Sequence, residues 1–222
     1  MSVNKIASKD TNNISKIIDT DISTFSNIGN HEIEQISMAR FDPNKADPTM
    51  HVLADGTTIY STGNTWRSII TDIGMNTGKI YFETEWKTSV NNYSAVSGIC
   101  NSSLDPTAYH PIASVNVVNW KSSETLLRIQ GSNVSLGTSW NSTNTIIGFA
   151  VDIDNKLIWT MKDGVWLYGD PSAGTGGESF TLGPPIYIFG IVYWSGDYLY
   201  HYFENWNYTP PTGFVSPTSA LV

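Results

Sequence analysis

The sequence predicts an all-β fold, an antiparallel two-sheet β-sandwich with a short N-terminal extension. From Ile36 onward, short apolar and aromatic runs are separated by Gly, Asn, Asp or Pro, a spacing typical of sandwiches and barrels. Within Gly78–Trp86, Ile80, Phe82 and Trp86 occupy alternate positions, so we expect one face of this strand to be core. No helical apolar period persists past two turns in this part of the chain.

Two consecutive hairpins are predicted between residues 144 and 171. An apolar run, Ile146–Ile153, is followed by Asp154 and Asn155, and a second run, Leu157–Met161, is followed by Asp163-Gly164. Asn, Asp and Gly tolerate a positive φ, which tight hairpin turns require. The pattern therefore predicts three sequence-adjacent antiparallel strands.

Composition limits the classes of function. The chain has 222 residues, enough for one large all-β domain with a short extension. Its formal net charge is −8 and it contains no run of Lys and Arg, which argues against a nucleic-acid partner. Charged residues make up only 14%, against roughly 25% in soluble domains. A surface of Asn, Ser, Thr and Gly is expected, which suits proteins outside the cytosol or within large assemblies.

Neither a secretory signal nor a membrane span is predicted. Met1–Lys5 is not followed by an apolar core segment, and no apolar run approaches the roughly 18 residues that a span requires. We expect synthesis in a cytosol without secretory export, and no membrane insertion. The single cysteine, Cys100, cannot form an intramolecular disulfide and is expected to be a buried residue of a strand.

Residues 1–36 differ from the rest and are predicted to form a separate segment, followed by the sandwich domain over 37–222. Ile14–Ile17 and Ile22–Gly29 look like two degenerate copies of one short unit, and the segment contains no Trp, Tyr or Pro. Such a piece cannot bury a core alone. Two interpretations stay open: a loosely ordered tail, or an arm for docking or oligomerisation.

Several blocks of the sequence resemble a SPRY domain, a concanavalin-like β-sandwich, from about residue 38 to the C terminus. The matching blocks are Phe41-Asp42-Pro43, Trp66-Arg67-Ser68, Gly78–Glu83, Gly148–Asp152 and Ile158–Gly164. The resemblance implies a module that binds other molecules, catalyses nothing and needs no cofactor. Residues 101–140 depart from the family pattern, so the family resemblance says least about the identity of the ligand.

Two further segments resemble phage proteins. Tyr208–Phe214 is similar to the Pro-Pro-x-Gly-Phe tail of phage-encoded SPRY proteins, and Ile14–Ile17 resembles short units near the N-termini of phage tail and virion proteins. This resemblance implies a virion protein, such as a tail fibre or tail-associated protein. Its partners would be other virion proteins, reached through the arm of a homo-oligomer such as a trimer, and a host surface component.

Some acidic residues and histidines could suggest a catalytic or metal site, but a simpler structural interpretation is available for them. Glu83 and Glu85 are two apart on one strand face, as in some retaining glycosidases, but no third acidic residue follows, and a structural role is favoured for Glu83. Asp152 and Asp154 could suit calcium, although turn formation explains them. The four histidines are scattered singly, so no zinc site is predicted.

Aromatic residues in turn-rich segments are the remaining signal for function. Flat rings flanked by Asn, Ser and Asp suit sugar rings or peptide side chains, although packing of loops against the sandwich is an equal alternative. The candidate ligand-binding residues are Tyr93, Tyr109, His110, Trp120, Trp140, Trp194 and Tyr198.

The sequence therefore favours a non-enzymatic virion protein that binds a host glycan or protein, or another virion protein, through loops on a rigid scaffold. Three alternatives stay open. They are a structural decoration or adaptor protein without a host ligand, a polysaccharide-degrading jelly-roll enzyme that uses Glu83 and Glu85, and a cellular SPRY protein that binds a peptide.

Overall fold

The computed structural model describes residues 39–88 and 95–219, and these residues form β-strands, a 3-10 helix at Pro111–Ala113, and connecting loops. The predicted arm over residues 1–36 lies outside the described residues. The strands, in chain order, are β1 (Phe41–Ala46), β2 (Met50–Val52), β3 (Thr58–Ser61), β4 (Ile69–Thr71), β5 (Lys79–Thr88), β6 (Ala95–Asn101), β7 (Val117–Lys121), β8 (Leu126–Ile129), β9 (Ser132–Ser135), β10 (Ile146–Asp152), β11 (Leu157–Lys162), β12 (Val165–Trp166), β13 (Glu178–Ser179), β14 (Ile186–Val192) and β15 (Tyr198–Tyr202).

The strands form two antiparallel sheets, which confirms the predicted sandwich. The first sheet has seven strands in the order β1-β4-β14-β6-β7-β8-β9. The second has eight, in the order β12-β11-β10-β5-β15-β3-β2, with β13 beside β11. Neighbouring strands in both sheets pair antiparallel, and many of them are distant in sequence, as in β14 with β6.

The predicted hairpins are present, with one difference in turn chemistry. Strands β10 and β11 pair from Asp152 with Leu157 to Ile147 with Lys162, and β11 then pairs with β12. In the second turn Asp163 and Gly164 take positive φ values of 48° and 84°, as expected. In the first turn the positive φ belongs to Lys156, because Asp152 Oδ1 accepts a hydrogen bond from the Asn155 backbone N–H, 2.9 Å away, and fixes Asn155 earlier in the turn.

The core lies between the sheets and follows the alternation of the strands. Ile80, Phe82 and Trp86 of β5 are buried in it, as predicted. Phe82 stacks on Phe149 of β10, with ring centroids 5.1 Å apart. Cys100 is buried in a second cluster, on the outer face of the first sheet, and burial raises the pKa of its thiol.

Both sheets are also covered on their outer faces, which the alternation does not predict. Segment 102–116 covers the first sheet, where Leu104 and Ile112 pack with Phe189 and Ile191 of β14. Segment 203–219 covers part of the second sheet, where Phe214 packs with Tyr81 and Trp159. These two layers position the side chains described next. Among the described residues, no helix is long and apolar enough to cross a membrane.

Candidate functional site

Three loops meet at one end of the strands of the first sheet. They are residues 62–68 before β4, 102–116 between β6 and β7, and 193–197 after β14. The His110 backbone N–H donates to the Trp66 carbonyl over 2.9 Å, and the Ser68 N–H donates to the Pro106 carbonyl over 3.1 Å. The Ser195 N–H donates to Asn64 Oδ1 over 3.1 Å. Two backbone hydrogen bonds and one bond to a side-chain amide therefore hold the three loops together, which gives their side chains fixed relative positions.

The loops bring five rings together in a group that we call the loop-end aromatic cluster: Trp66, Tyr109, His110, Tyr193 and Trp194. Trp66 is central, with its ring centroid 4.8 Å from that of Tyr193 and 5.4 Å from that of His110. Tyr193 contacts Trp194 edge to face at 4.8 Å, and Tyr109 lies 6.0 Å from His110. Tyr109 is 66% exposed and His110 is exposed, whereas the other three are half-buried. The Tyr109 and His110 rings are thus exposed to solvent, and His110 packs against the half-buried Trp66.

Cations flank this cluster. Lys121 Nζ lies 4.8 Å from the Trp66 ring centroid, and the Arg67 guanidinium lies 5.5 Å from that of Tyr109. The Glu124 carboxylate forms an ion pair with the Arg128 guanidinium, 2.7 Å away, and lies 3.5 Å from Lys121 Nζ. Cation–π contacts of this kind contribute about 0.5–1 kcal/mol at exposed positions. They orient the rings of Trp66 and Tyr109.

The electrostatics favour a neutral imidazole within this surface. Partial burial, together with the positive charges of Lys121 and Arg128, lowers the pKa of His110 below its usual value. Burial acts to raise the pKa of the Glu124 carboxyl, but the hydrogen bond from Arg128 and the adjacent cations outweigh it and lower that pKa. At neutral pH, His110 can therefore both donate and accept a hydrogen bond, and Glu124 is ionised.

The structure brings three of the predicted site residues together and separates others. Tyr109, His110 and Trp194 belong to the loop-end aromatic cluster. Tyr198 lies on the second sheet, where its ring stacks on Tyr60 at 5.5 Å. Tyr93 lies outside the described residues.

Trp120 and Trp140 are core residues, so the interpretation of these two as ligand contacts is corrected. Both are 0% exposed, and their rings pack edge to face at 6.4 Å. Trp120 Nε1 donates to the Glu124 carbonyl over 2.9 Å, which supports the turn behind the cluster. Turn residues flank both in sequence, but cross-strand pairing of β7 with β6 and β8 directs Trp120 inward.

Sequence reasoning missed Trp66, Tyr193, Arg67 and Lys121 as parts of this surface. Trp66 belongs to a block that resembles the SPRY family, and it precedes β4, which begins at Ile69. The signal that could have identified it is the flanking run Thr62-Gly63-Asn64-Thr65, which is typical of a loop. The adjacency of Tyr193 to Trp194 offered a similar signal.

Glu83, one of the two carboxylates considered above as a catalytic pair, has a structural role. This side chain is fully buried beneath segment 203–219. Its Oε1 accepts from the Tyr81 hydroxyl at 2.8 Å and the Tyr208 N–H at 2.9 Å. Its Oε2 accepts from the Asn207 N–H at 2.8 Å and the Asn207 amide at 3.0 Å. With four donors bound and no access to solvent, Glu83 anchors the C-terminal segment and cannot reach a substrate.

Glu85 and the acidic turn residues also have defined partners. Glu85 accepts from the Tyr202 hydroxyl and pairs with Lys87 at 2.8 Å. Asp152 accepts from Asn155 and lies 3.3 Å from Lys79 Nζ. Across residues 39–88 and 95–219 there is no group of three or more His, Cys, Asp or Glu side chains placed to hold a metal ion. Turn formation and ion pairing account for Asp152.

Comparison with known proteins gives a likeness of fold. No protein-family model matches this sequence, and no curated protein is significantly similar to it. The crystal structure of the SPRY domain of human HERC1 superposes with a TM-score of 0.57 at 14% identity, covering 72% of this chain and 96% of that one. The TRIM65 PSpry domain superposes with a TM-score of 0.51 at 13% identity, covering 74% and 92%. The described domain therefore has a SPRY-like fold.

Proposed function

We propose that this protein is a non-catalytic binding protein of a bacteriophage virion, and that the loop-end aromatic cluster is its recognition surface. The SPRY-like fold supports a role as an interaction domain, since SPRY domains are non-catalytic interaction modules. The phage assignment rests on the sequence resemblances of Tyr208–Phe214 and of the N-terminal repeat. The low content of charged residues is consistent with a place in a large extracellular assembly.

The convergence of five rings from three loops carries the proposal. A ring such as Tyr109, exposed by two thirds and supported by Arg67, offers contact area at a low cost in side-chain entropy. Around it, the neutral His110, the guanidinium of Arg67 and the ammonium of Lys121 supply hydrogen-bond donors. Aromatic faces with polar groups at the rim suit a sugar or a peptide segment of a host surface component.

The partners and location follow as parts of the same proposal. Residues 1–36 would dock the protein onto other virion proteins or form a homotrimer, and the described domain would face outward. Several copies on one particle would convert weak single-site binding into high avidity. If the arm trimerises, light scattering of the full-length chain gives about three times the monomer mass, and removal of residues 1–36 restores the monomer.

A structural decoration or adaptor role is the second candidate. It is favoured by the half-burial of Trp66, Tyr193 and Trp194, because loop packing alone would give the same contacts. The polysaccharide-degrading alternative loses its main support, because Glu83 is enclosed and fully hydrogen-bonded.

Binding of the full-length protein to candidate host cells and to an array of bacterial surface glycans tests the proposal. We expect saturable binding that Tyr109→Ala reduces at least about tenfold, a loss of about 1.4 kcal/mol. Val165→Ala is the matched control, since Val165 is 65% exposed and belongs to a hairpin of the other sheet. Binding to isolated virion proteins alone would favour the adaptor role.

A further inference from the structure

A second concave site lies on the outer face of the first sheet. It is a pocket of about 330 Å³, and its lining residues are Asn44 and Lys45 of β1, Ile70 of β4, Tyr187 of β14, and Ser102, Leu104 and Pro106. None of these residues belongs to the loop-end aromatic cluster. The volume is at the lower end of the range for small-molecule pockets, so the pocket suits a ligand of about one ring.

The ammonium group of Lys45 lies at this pocket and is held by two contacts. The Lys45 ammonium donates to the Asp72 carbonyl over 2.5 Å and lies 5.0 Å from the Tyr187 ring centroid. Because an ammonium has three donors and one is used, the remaining hydrogens are available to a ligand. Among the lining residues there is no carboxylate, and Lys45 is the one cation.

The remaining polar groups of the lining can also donate. Within residues 39–88 and 95–219, the amide of Asn44 and the hydroxyls of Ser102 and Tyr187 make no hydrogen bond to the protein. Together with Lys45 they form a set of one cation and three neutral polar groups around a single space. Such a set suits a ligand with one negative charge and several hydroxyl groups.

The floor of the pocket is apolar. Ile70 and Leu104 are buried, each 6% exposed, and Pro106 lies beside them. The Tyr187 ring sits against Gly74, where an added Cβ would be 2.7 Å from Cζ of the tyrosine. The missing side chain at Gly74 therefore makes room for the Tyr187 ring.

We propose that this pocket binds a sugar ring that carries a carboxylate, such as a uronic acid. The carboxylate would pair with Lys45, the ring hydroxyls would bond to Asn44, Ser102 and Tyr187, and the C–H face of the ring would pack on Ile70 and Leu104. A neutral sugar would leave the cation unused, and an inorganic anion would leave the apolar floor unused. This binding is independent of the recognition surface proposed above.

Titration of the full-length protein with D-glucuronate and with D-glucose, followed by calorimetry or NMR, tests the proposal. We expect saturable binding of glucuronate with a dissociation constant on the order of 1 mM, and at least about tenfold weaker binding of glucose. Lys45→Met removes the charge and keeps the stem, and should weaken glucuronate at least about tenfold. Lys87→Met, on the other sheet, is the charge-matched control and should bind as the wild type does. A glucuronate-containing oligosaccharide shows whether the ring is taken free or within a polymer.

Three results would overturn the proposal. They are the absence of saturable glucuronate binding up to about 50 mM, well above the millimolar range set out here; equal affinity for glucuronate and glucose; or unchanged affinity in Lys45→Met. Tyr187→Phe provides a second variant that keeps the ring and its packing on Gly74 while removing one hydroxyl. It should weaken glucuronate by a smaller factor than Lys45→Met does.

Discussion

Glu83 shows how one buried side chain can determine the position of a whole segment. Three of its four hydrogen bonds join β5 to residues 207 and 208, and so fix the start of the layer that covers the second sheet; the fourth comes from Tyr81 of the same strand. Two of the donors are backbone N–H groups, which lose an acceptor if the carboxylate is altered. A carboxylate is required here because it accepts at both oxygens, whereas an amide accepts at only one.

Glu83→Gln should therefore lower the free energy of unfolding by about 2–3 kcal/mol, the range for buried hydrogen bonds to a charged group. Urea denaturation at neutral pH measures this, and limited proteolysis should show earlier cleavage within residues 203–219. Glu204→Gln, a half-buried glutamate in the same segment, is the control and should change stability by less than about 0.5 kcal/mol. Equal stability of the two variants would contradict the anchoring role.

His201 makes stability depend on pH. Burial lowers its pKa to about 3, against a value of 6.5 for an exposed histidine. Between these values the unfolded chain binds a proton that the folded chain does not. Above pH 6.5 the protonation of His201 therefore costs no stability. As the pH falls below 6.5, it lowers the free energy of unfolding by up to about 1.4 kcal/mol per pH unit.

His201→Leu should flatten the dependence of unfolding free energy on pH between 6.5 and 5. Chemical denaturation at several pH values measures the slope. His110→Gln serves as the comparison, because His110 is exposed and its lowered pKa contributes in the same direction with a smaller effect. An unchanged slope in His201→Leu would show that other groups control the acid sensitivity.

At the scale of elements, the turn after β11 carries both conformational and packing constraints. Gly164 has a φ of 84°, and an added Cβ would lie 2.7 Å from the Tyr208 ring. Gly174 has a φ of 68°, but an added Cβ would contact nothing within 4 Å. The two positions thus separate backbone strain from steric conflict with the C-terminal segment.

Gly174→Ala should cost about 1 kcal/mol from the positive φ alone, and Gly164→Ala should cost at least about 1 kcal/mol more because Tyr208 must move. Thermal or urea unfolding of both variants gives the difference. Equal costs would mean that residue 208 adapts freely, and that segment 203–219 is held less tightly than its contacts indicate.

Strand existence could be predicted from the sequence, whereas the outer layers could not. Alternation in β5 and the turn residues around β10 and β11 are local signals, and the structure has these strands within a residue or two of the predicted bounds. Segments 102–116 and 203–219 have no period, so nothing local indicates that they cover a sheet. Strands β9 and β13 contain a single apolar residue between them, Val134, so no alternation indicates them.

The candidate site was predictable only in part, for a related reason. Tyr109 and His110 lie in a long loop and are exposed, as expected for loop aromatics. Trp120 lies within a strand whose inward face is set by partners that are distant in sequence, such as Ser97 of β6. Long-range strand pairing thus decides which of the aromatic residues near turns face solvent. This pairing cannot be read from a single sequence.

At the scale of the whole molecule, the sandwich presents two separate surfaces on or beside one sheet. Both depend on segment 102–116, which supplies Tyr109 and His110 to the loop-end aromatic cluster and Ser102, Leu104 and Pro106 to the pocket. The second sheet is partly occupied by the chain's own C-terminal layer. Both surfaces proposed for recognition thus lie on the first sheet and its loops.

The most direct test of the central claim compares host-surface binding by full-length wild type, Tyr109→Ala and Val165→Ala, each first shown to unfold at the same urea concentration. Recognition through the loop-end aromatic cluster predicts that Tyr109→Ala loses at least about tenfold in affinity, while Val165→Ala binds as the wild type does. Equal binding by all three proteins, or no binding to any host surface, would contradict the claim.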